Sequence, residues 1–408
     1  MLYPGACSRS VATEGNNSSI RLLAFSELYH PVVGGSVRWI SKIAEHWPGQ
    51  AWVLGGCRPR GSLRPSDLDG PTPVRRIRLA LDDWGLDSPQ SLLQYANAVA
   101  QLVAETRRRR ANVVLCGRGV PEGLIAYLAG RWTGAAYGCL VHGEETVSCG
   151  LSGQLRRMLR LAYSRADVLV CNSRASAELA AGAGGRTDRM IVSHPGVELS
   201  AFADVLAVDR GAGNDPPVLL TVGRLDERKN HAGVLRAMAE LRRSGVDVRY
   251  QIVGDGYMKG PLEALVAELG LGDRVNWVHG GDDEIVRKAY CQADIFIMPA
   301  IHTGKDTEGF GIVFIEAALA GLPSIAGCVG GCKEAVLNER TGLVVDGSDR
   351  SALAGAIARL ARDAKLRSRL GREGRRRASI ELDWRALIPR LAGEMERMVP
   401  RAPRATSR

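Results

Sequence analysis

Two glutamates that flank a glycine-rich turn are the residues best suited to chemistry. Glu308 and Glu316 lie eight residues apart, and Gly309 and Gly311 permit a tight turn before an apolar segment, 312–320, that is predicted to be a helix. The unpaired N–H groups at the start of such a helix suit a phosphate. Glu316 would lie among apolar side chains, where a carboxylate needs donors such as ribose hydroxyls. Two unrelated structural glutamates are the commoner case, but this spacing favours a ligand site.

A pair of cationic residues follows the predicted strand 218–222. Arg224 and Lys229 lie five residues apart in Val-Gly-Arg-Leu-Asp-Glu-Arg-Lys-Asn. An arginine fork and a flexible lysine both suit phosphate oxygens. They could equally be surface charges of a solvated loop, but their position upstream of Glu308 and Glu316 favours a diphosphate site.

These motifs resemble those of glycosyltransferase family 4, whose members are retaining enzymes with the GT-B fold. The resemblance is carried by the Glu-x7-Glu segment 308–316 and by residues 222–230, 330–331 and 341–347. It covers nearly the whole C-terminal half and, less sharply, the N-terminal half, and among relatives it is similar to phosphatidylinositol mannosyltransferases. It implies an α/β protein whose two doubly wound, Rossmann-like parallel-sheet domains face each other across a cleft.

The resemblance also implies an activity and a site. The enzyme would move a hexose, with mannose from GDP-mannose favoured, to a lipid-linked or glycan-precursor acceptor, with retention and without a metal or other cofactor. The implied catalytic residues are His142, Arg224, Lys229 and Glu308. The implied substrate-binding residues are Gly34, Gly35, Arg224, Lys229, Gly254, Gly256, His279, Glu308, Gly309, Phe310, Gly311 and Glu316.

Several of these residues also have simpler interpretations. The pair Gly34 and Gly35 is typical of any strand-to-helix turn, His142 is typical of a turn residue, and the loops at Gly254 and His279 are typical of simple turns. Nothing in the latter loops decides guanine against uracil. A UDP-sugar transferase, a sugar-nucleotide epimerase and a non-catalytic sugar-nucleotide-binding protein therefore remain alternatives, although Arg224, Lys229 and Glu308 together argue against the last two.

Composition narrows the class of protein. The 408 residues are 45% hydrophobic and 24% charged, which is typical of a globular protein with two cores. No signal-peptide pattern or long apolar run is evident, and the nine cysteines are expected to be reduced, so we expect a cytoplasmic protein. The net charge of +10 indicates an anionic partner, but the 5% aromatic content and the lack of a binding module argue against nucleic acid.

Short apolar strands alternate with helical patterns, which predicts parallel sheets with ligands beyond the carboxyl ends of the strands. Strands are predicted at 20–25, 51–54, 74–79, 111–115, 135–141, 166–171, 190–193, 218–222, 249–253, 275–278, 295–298, 324–326 and 342–345. Helices in the C-terminal half are predicted at 231–244, 260–269, 284–292, 312–320, 331–337 and 350–376. The Gly-, Asp-, Asn- and Pro-rich segment 208–217 is predicted to be a linker between two domains. The resemblance implies that 1–207 is the acceptor-side domain, that a helix at about 384–398 crosses back to it, and that 218–383 is the nucleotide-sugar-binding domain.

One further helix has two open interpretations. Residues 154–165 place apolar side chains at helical spacing against Arg156, Arg157 and Arg160. The helix could rest on an anionic membrane near a lipid acceptor, which would make the protein peripheral on the inner face of the membrane. It could equally be a core-packed helix with a solvated basic face.

Overall fold

The computed structural model describes residues 18–30, 32, 34–56, 72–77, 84–206, 214–279, 282–304 and 306–399. Within them the chain forms two parallel sheets, each covered by helices. All thirteen predicted strands are present, with ends that differ from the prediction by at most two residues. The strands have three to six residues, and those at 22–26, 113–116, 168–171 and 295–298 are buried throughout because parallel sheets are covered on both faces.

The first sheet contains seven described strands in the order β3-β2-β1-β4-β5-β6-β7. Their bounds are β1 (Leu22–Ser26), β2 (Ala51–Gly56), β3 (Val74–Ile77), β4 (Val113–Cys116), β5 (Ala136–Val141), β6 (Val168–Cys171) and β7 (Met190–Val192). The second sheet contains six described strands in the order β10-β9-β8-β11-β12-β13. Their bounds are β8 (Val218–Val222), β9 (Arg249–Val253), β10 (Val275–Val278), β11 (Ile295–Met298), β12 (Ser324–Gly327) and β13 (Gly342–Val345).

Helices connect the strands and cover the sheets. In the first half they are α1 (Gly35–Glu45), α2 (Pro89–Arg109), α3 (Leu124–Thr133), α4 (Glu144–Gly150), α5 (Gly153–Arg165), α6 (Arg174–Gly182) and α7 (Ala203–Leu206). In the second half they are α8 (His231–Arg243), α9 (Lys259–Glu268), α10 (Asp283–Gln292), α11 (Ile312–Leu319), α12 (Cys332–Ala335), α13 (Arg350–Arg362), α14 (Ala364–Glu381) and α15 (Trp384–Met398). Among the described helices, none combines the length and the apolar composition needed to cross a bilayer.

The last helix returns to the first domain. On α15, Trp384 and Ile388 are buried in one cluster with Trp39 and Ile40 of α1. The crossing is fixed where Val197 donates to the carbonyl of residue 382 at 2.8 Å and accepts from the backbone N–H of Trp384 at 3.2 Å. The predicted linker at 208–217 lies largely outside the described residues, so the boundary between the domains stays a prediction.

Two sequence-based expectations are refined by the structure. The single helix predicted at 350–376 is wrong, because Asp363 ends α13 and its side chain accepts a hydrogen bond from the backbone N–H of Leu366 at the start of α14. The predicted basic helix is α5, and its apolar residues Met158 and Leu159 are buried in the domain core. Any contact of α5 with a membrane would therefore be made by its exposed arginines.

Candidate functional site

Lys229 and Glu308, both singled out in the sequence, meet at the carboxyl ends of the strands of the second sheet. Strands β8 and β11 are neighbours, so the loops at their carboxyl ends lie side by side. The loop after β8 carries Lys229 and the loop after β11 carries Glu308. The Lys229 ammonium lies 3.5 Å from a carboxylate oxygen of Glu308, and both side chains are buried.

Arg228 is a member of this cluster that the sequence analysis did not single out. Its guanidinium lies 2.5 Å from Glu308, 2.9 Å from Asp306 and 3.5 Å from Asp226. The side chain is only 6% exposed. The signal in the sequence was its place directly before Lys229 in a loop that also holds Asp226, but Asp306 and Glu308 come from a distant loop.

The charges of the cluster stabilise one another. Burial alone would raise the pKa of Glu308, but Lys229 and Arg228 outweigh burial and hold that pKa below its ordinary value. Burial alone would lower the pKa of Arg228, but Glu308, Asp226 and Asp306 outweigh it and raise that pKa. Glu308 is therefore ionised at neutral pH and is held by two cations.

Arg224 lies apart from this buried cluster. Its side chain is 72% exposed and approaches Asp226 at 3.7 Å. It still acts on Glu308 through space, because its charge is one of those that lower the pKa of Glu308. The structure thus places Lys229 at the carboxylate and Arg224 nearer to solvent, where a ligand could recruit it.

The other loop residues predicted to bind substrate have different surroundings. A side chain at Gly254 would overlap the carbonyl of Gly223, and one at Gly256 would lie 2.5 Å from the carbonyl of Leu225. These two glycines therefore support the backbone around Arg224. His279 is exposed, and its ring nitrogen lies 3.3 Å from the Lys259 ammonium.

Glu316 is buried inside α11 and joins the two domains. Arg38, on α1 of the first domain, forms an ion pair with one of its oxygens, and the hydroxyl of Tyr290 donates to the other at 2.9 Å. Arg38 also lies 3.3 Å from Asp283. Glu316 accordingly has polar partners in the structure, and Arg38 and Tyr290 are site residues that the sequence analysis missed.

The start of α11 faces the glycine pair of the first domain. Gly311 has φ of 83° and lets the chain turn into the helix, and no side chain caps this N-terminus among the described residues. Within the described residues, a Cβ added at Gly34 would meet nothing within 4 Å, and one at Gly35 would lie 4.0 Å from Ile312. The glycine pair therefore lies beside open space at a helix N-terminus, where an anion is favoured.

His142 lies where the loop of Glu308 meets the first domain. A side chain at Gly309 would overlap the carbonyl oxygen of His142 and would lie 2.7 Å from the side-chain nitrogen of Asn172. The His142 ring lies 2.9 Å from the carbonyl of Gly117 and edge-on to Trp39. The backbone of the loop that carries Glu308 therefore lies directly against the backbone of His142.

Two further contacts hold the cleft closed. Phe310 stacks on His194 of the first domain, with ring centroids 4.9 Å apart. The Glu334 carboxylate accepts hydrogen bonds from the backbone N–H groups of Arg174, at 2.8 Å, and Ala175, at 3.4 Å, at the start of α6. Phe310 is thus a domain contact in this structure, and Glu334 of the second domain caps a helix of the first.

One group of residues within the described ranges could hold a metal ion, and it lies outside this cluster. Glu45, His46 and Glu198 bring their ligand atoms within 4.8 Å of one another. The Lys42 ammonium lies 2.8 Å from Glu45 and 3.3 Å from Glu198, so a protein cation already neutralises these carboxylates.

Comparisons with known proteins agree with this architecture. Residues 206–377 match the family model described as "Glycosyl transferases group 1". A GDP-mannose-dependent alpha-(1-6)-phosphatidylinositol monomannoside mannosyltransferase of Mycolicibacterium smegmatis is 34% identical over 289 residues, 69% of this chain and 75% of the relative. A D-inositol 3-phosphate glycosyltransferase of Pseudarthrobacter chlorophenolicus is 30% identical over 259 residues, 59% of this chain and 60% of the relative.

Solved structures show the same fold. Anabaena HepE in complex with UDP superposes with a TM-score of 0.73 at 19% identity, covering 93% of this chain and all of that one. WaaG, a glycosyltransferase of lipopolysaccharide biosynthesis, superposes with a TM-score of 0.64 at 18% identity, covering 91% of this chain and 99% of that one. The prediction of a GT-B fold is confirmed. The chain belongs to the glycosyl transferases group 1 family, and it is a glycosyltransferase.

Proposed function

We propose that this protein transfers mannose from GDP-mannose, with retention of the anomeric configuration, to a lipid-linked or glycan-precursor acceptor. The observation that carries the proposal is the buried contact between Lys229 and Glu308 beside the uncapped N-terminus of α11. The donor is taken from the M. smegmatis relative, whose name specifies GDP-mannose. Its name also contains phosphatidylinositol monomannoside, a glycolipid, which supports a lipid-linked acceptor here.

The diphosphate of the donor would lie between the glycine pair and the start of α11. The free N–H groups of α11 and the Lys229 ammonium would supply positive charge there, and none of the described residues fills the space beside Gly34. Arg224 would turn inward from its exposed position to contact the same oxygens. Because the diphosphate gains negative charge as the sugar leaves, these groups stabilise the transition state more than the ground state.

The two glutamates would hold the sugar ends of the donor. Glu308 would accept hydrogen bonds from the hexose while Lys229 and Arg228 keep it ionised. Glu316 would accept bonds from the ribose hydroxyls, for which its ion pair with Arg38 must shift or be shared. The backbone contact between His142 and Gly309 would position the hexose against the first domain.

The transfer needs only one exchange of bonds. The bond between the anomeric carbon and the diphosphate oxygen breaks, and the acceptor oxygen bonds to that carbon on the same face. The leaving diphosphate takes the proton of the acceptor hydroxyl. The sequence shows no second carboxylate pair suited to a covalent sugar intermediate, so the proposed route has none. His142 and Glu308 would instead stabilise the charge that develops on the sugar through their positions beside it.

Transfer should continue without a divalent metal, because side chains and a helix terminus supply the positive charge at the diphosphate. Activity measured after EDTA treatment and gel filtration should equal that of the untreated enzyme. A complete loss that Mg²⁺ or Mn²⁺ restores would contradict this part of the proposal.

GDP and GDP-mannose should raise the melting temperature of the protein more than UDP and UDP-glucose do. A ligand at about 100 times its Kd stabilises the native state by roughly 2.7 kcal/mol, which is a measurable shift in a thermal denaturation experiment. Glu316→Gln should reduce the shift with GDP, because the ribose would lose an ionised acceptor. If neither nucleotide shifts the melting temperature, the donor site is misplaced.

A UDP-sugar donor is the second candidate. It is favoured by the shared fold with HepE, whose structures were solved with UDP and with UDP-glucose. Stabilisation by UDP and UDP-glucose but not by GDP and GDP-mannose would establish this alternative and leave the diphosphate and hexose positions unchanged.

A further inference from the structure

Glu316 takes its cation from the other domain, whereas Glu308 does not. The two cations at Glu308 are Arg228 and Lys229, which belong to the same domain as Glu308 itself. Among the described residues, Glu316 has one cationic partner, Arg38, which lies on α1 of the first domain. The ion pair at Glu316 therefore depends on how the two domains are placed, and the pairs at Glu308 do not.

Arg38 lies nearer to solvent than the cations at Glu308. Its side chain is 36% exposed, against 6% for Arg228. A second carboxylate, that of Asp283, lies 3.3 Å from its guanidinium and is itself 75% exposed. Because Asp283 stays within reach, Arg38 can leave Glu316 and still pair with a carboxylate at the surface.

Glu316 keeps one polar partner when Arg38 leaves. The hydroxyl of Tyr290 donates to its second oxygen at 2.9 Å, and both residues belong to the second domain, so this bond does not depend on the domain contact. The oxygen that Arg38 contacts would then need a new donor, because a buried carboxylate oxygen without one is costly. A ribose hydroxyl is a donor of this kind.

The starts of α1 and α11 show how a nucleotide would meet Arg38. A Cβ added at Gly35, the first residue of α1, would lie 4.0 Å from Ile312, the first residue of α11. Arg38 follows Gly35 by three residues and Glu316 follows Ile312 by four, so each lies on the same helix face about one turn farther along. The ribose is the group next to the diphosphate in a nucleotide. A diphosphate at the start of α11 would therefore bring the ribose to the position that Arg38 occupies.

We propose that Arg38 occupies the ribose position on Glu316 in the ligand-free protein, and that the donor displaces Arg38 toward Asp283 when it binds. The ion pair is an autoinhibitory contact between the domains, because it fills Glu316 until ribose hydroxyls replace it. A competing internal contact raises the apparent Kd of a ligand, so Arg38 weakens donor binding. This inference rests on the proposed function in placing the ribose at Glu316.

Isothermal titration calorimetry with the full-length protein tests the competition. The probes are GDP and 2′,3′-dideoxy-GDP, which lacks the ribose hydroxyls that would contact Glu316. The first variant, Arg38→Gln, removes the competing cation. The second variant, Asp283→Asn, removes the alternative partner of Arg38. The control is Arg131→Gln, which removes an exposed arginine of α3 in the first domain. Circular dichroism of each ligand-free variant checks that it is folded.

We expect Arg38→Gln to lower the Kd for GDP at least about threefold and to leave the Kd for the dideoxy nucleotide unchanged. Asp283→Asn should raise the Kd for GDP, because Arg38 then stays on Glu316, and the control should change neither Kd. Weaker binding of GDP by Arg38→Gln would show that Arg38 holds the nucleotide itself. Equal changes for GDP and its dideoxy form would show that the ribose hydroxyls do not compete. Either result overturns the proposal.

Failure of the proposed donor gives a different result. If the protein binds UDP and not GDP, the same comparison with UDP and 2′,3′-dideoxy-UDP applies, because both nucleotides carry ribose. If neither nucleotide binds the wild-type protein, the proposed function and the autoinhibitory contact fail together. Normal binding of GDP by the wild type with an unchanged Kd in Arg38→Gln overturns the autoinhibitory contact alone.

Discussion

Lys229→Met should reduce kcat/KM for glycosyl transfer by about 100- to 1,000-fold and leave the protein folded. The reason is the loss of one fixed cation where the diphosphate charge develops, which corresponds to about 2.7–4 kcal/mol of transition-state stabilisation. Folding should survive because Arg228 remains 2.5 Å from Glu308, so the buried carboxylate keeps a cationic partner. Methionine also suits the site, since the ammonium lies beside the sulfur of Met298.

The matched control is Lys288→Met. Lys288 lies on α10 of the same domain, is exposed, and pairs with Glu284 at the surface. Its replacement removes the same charge away from the cluster, so kcat/KM should stay near the wild-type value. An unchanged kcat/KM for Lys229→Met, with an unchanged circular dichroism spectrum, would remove Lys229 from the proposed site.

Gly309→Ala should reduce kcat/KM by about 100-fold or more because it moves the second domain away from the first. The added methyl group would overlap the carbonyl oxygen of His142 and crowd the side chain of Asn172. Neither neighbour can move freely, because Asn172 donates to that same carbonyl at 3.2 Å and the His142 ring contacts the carbonyl of Gly117. The loop must therefore move away from the first domain. A displacement of about 1 Å at a reacting group reduces the rate by about 100-fold.

Small-angle X-ray scattering would detect the withdrawal as a larger radius of gyration for Gly309→Ala. The control is Gly355→Ala, because Gly355 lies inside α13 and a Cβ there would meet nothing within 4 Å. That control should be as active as the wild type and slightly more stable, since alanine favours a helix over glycine. Full activity of Gly309→Ala would show that the closed arrangement is not the reactive one.

The strands and the pair Lys229 and Glu308 could be predicted because local patterns encode them. Short runs of apolar residues predict buried parallel strands. Lys229 and Glu308 each follow the carboxyl end of such a strand, which is where ligand-binding loops lie, and the two strands are neighbours in the sheet. The break at Asp363 was missed because the apolar periodicity continues on both sides of it, and only its capping side chain ends α13.

Contacts between the domains could not be predicted from local patterns. Arg38 and Glu316 are 278 residues apart in the chain, and Glu334 caps α6 from 160 residues away. Each side chain alone resembles an ordinary surface or buried charge. Likewise, Gly254 and Gly256 pack against the backbone of the loop that carries Arg224. This role depends on the path of the backbone, and no sequence motif indicates it.

The most direct test of the central claim is nuclear magnetic resonance of GDP-mannose incubated with the protein in the absence of acceptor. We predict slow release of GDP together with mannose that first appears as the α-anomer, because water replaces the acceptor on the same face. Lys229→Met should slow the release by about 100- to 1,000-fold. A change in the sugar with its bond to the diphosphate intact would indicate an epimerase, and an unchanged donor despite binding would indicate a non-catalytic protein; either result would contradict the proposed function.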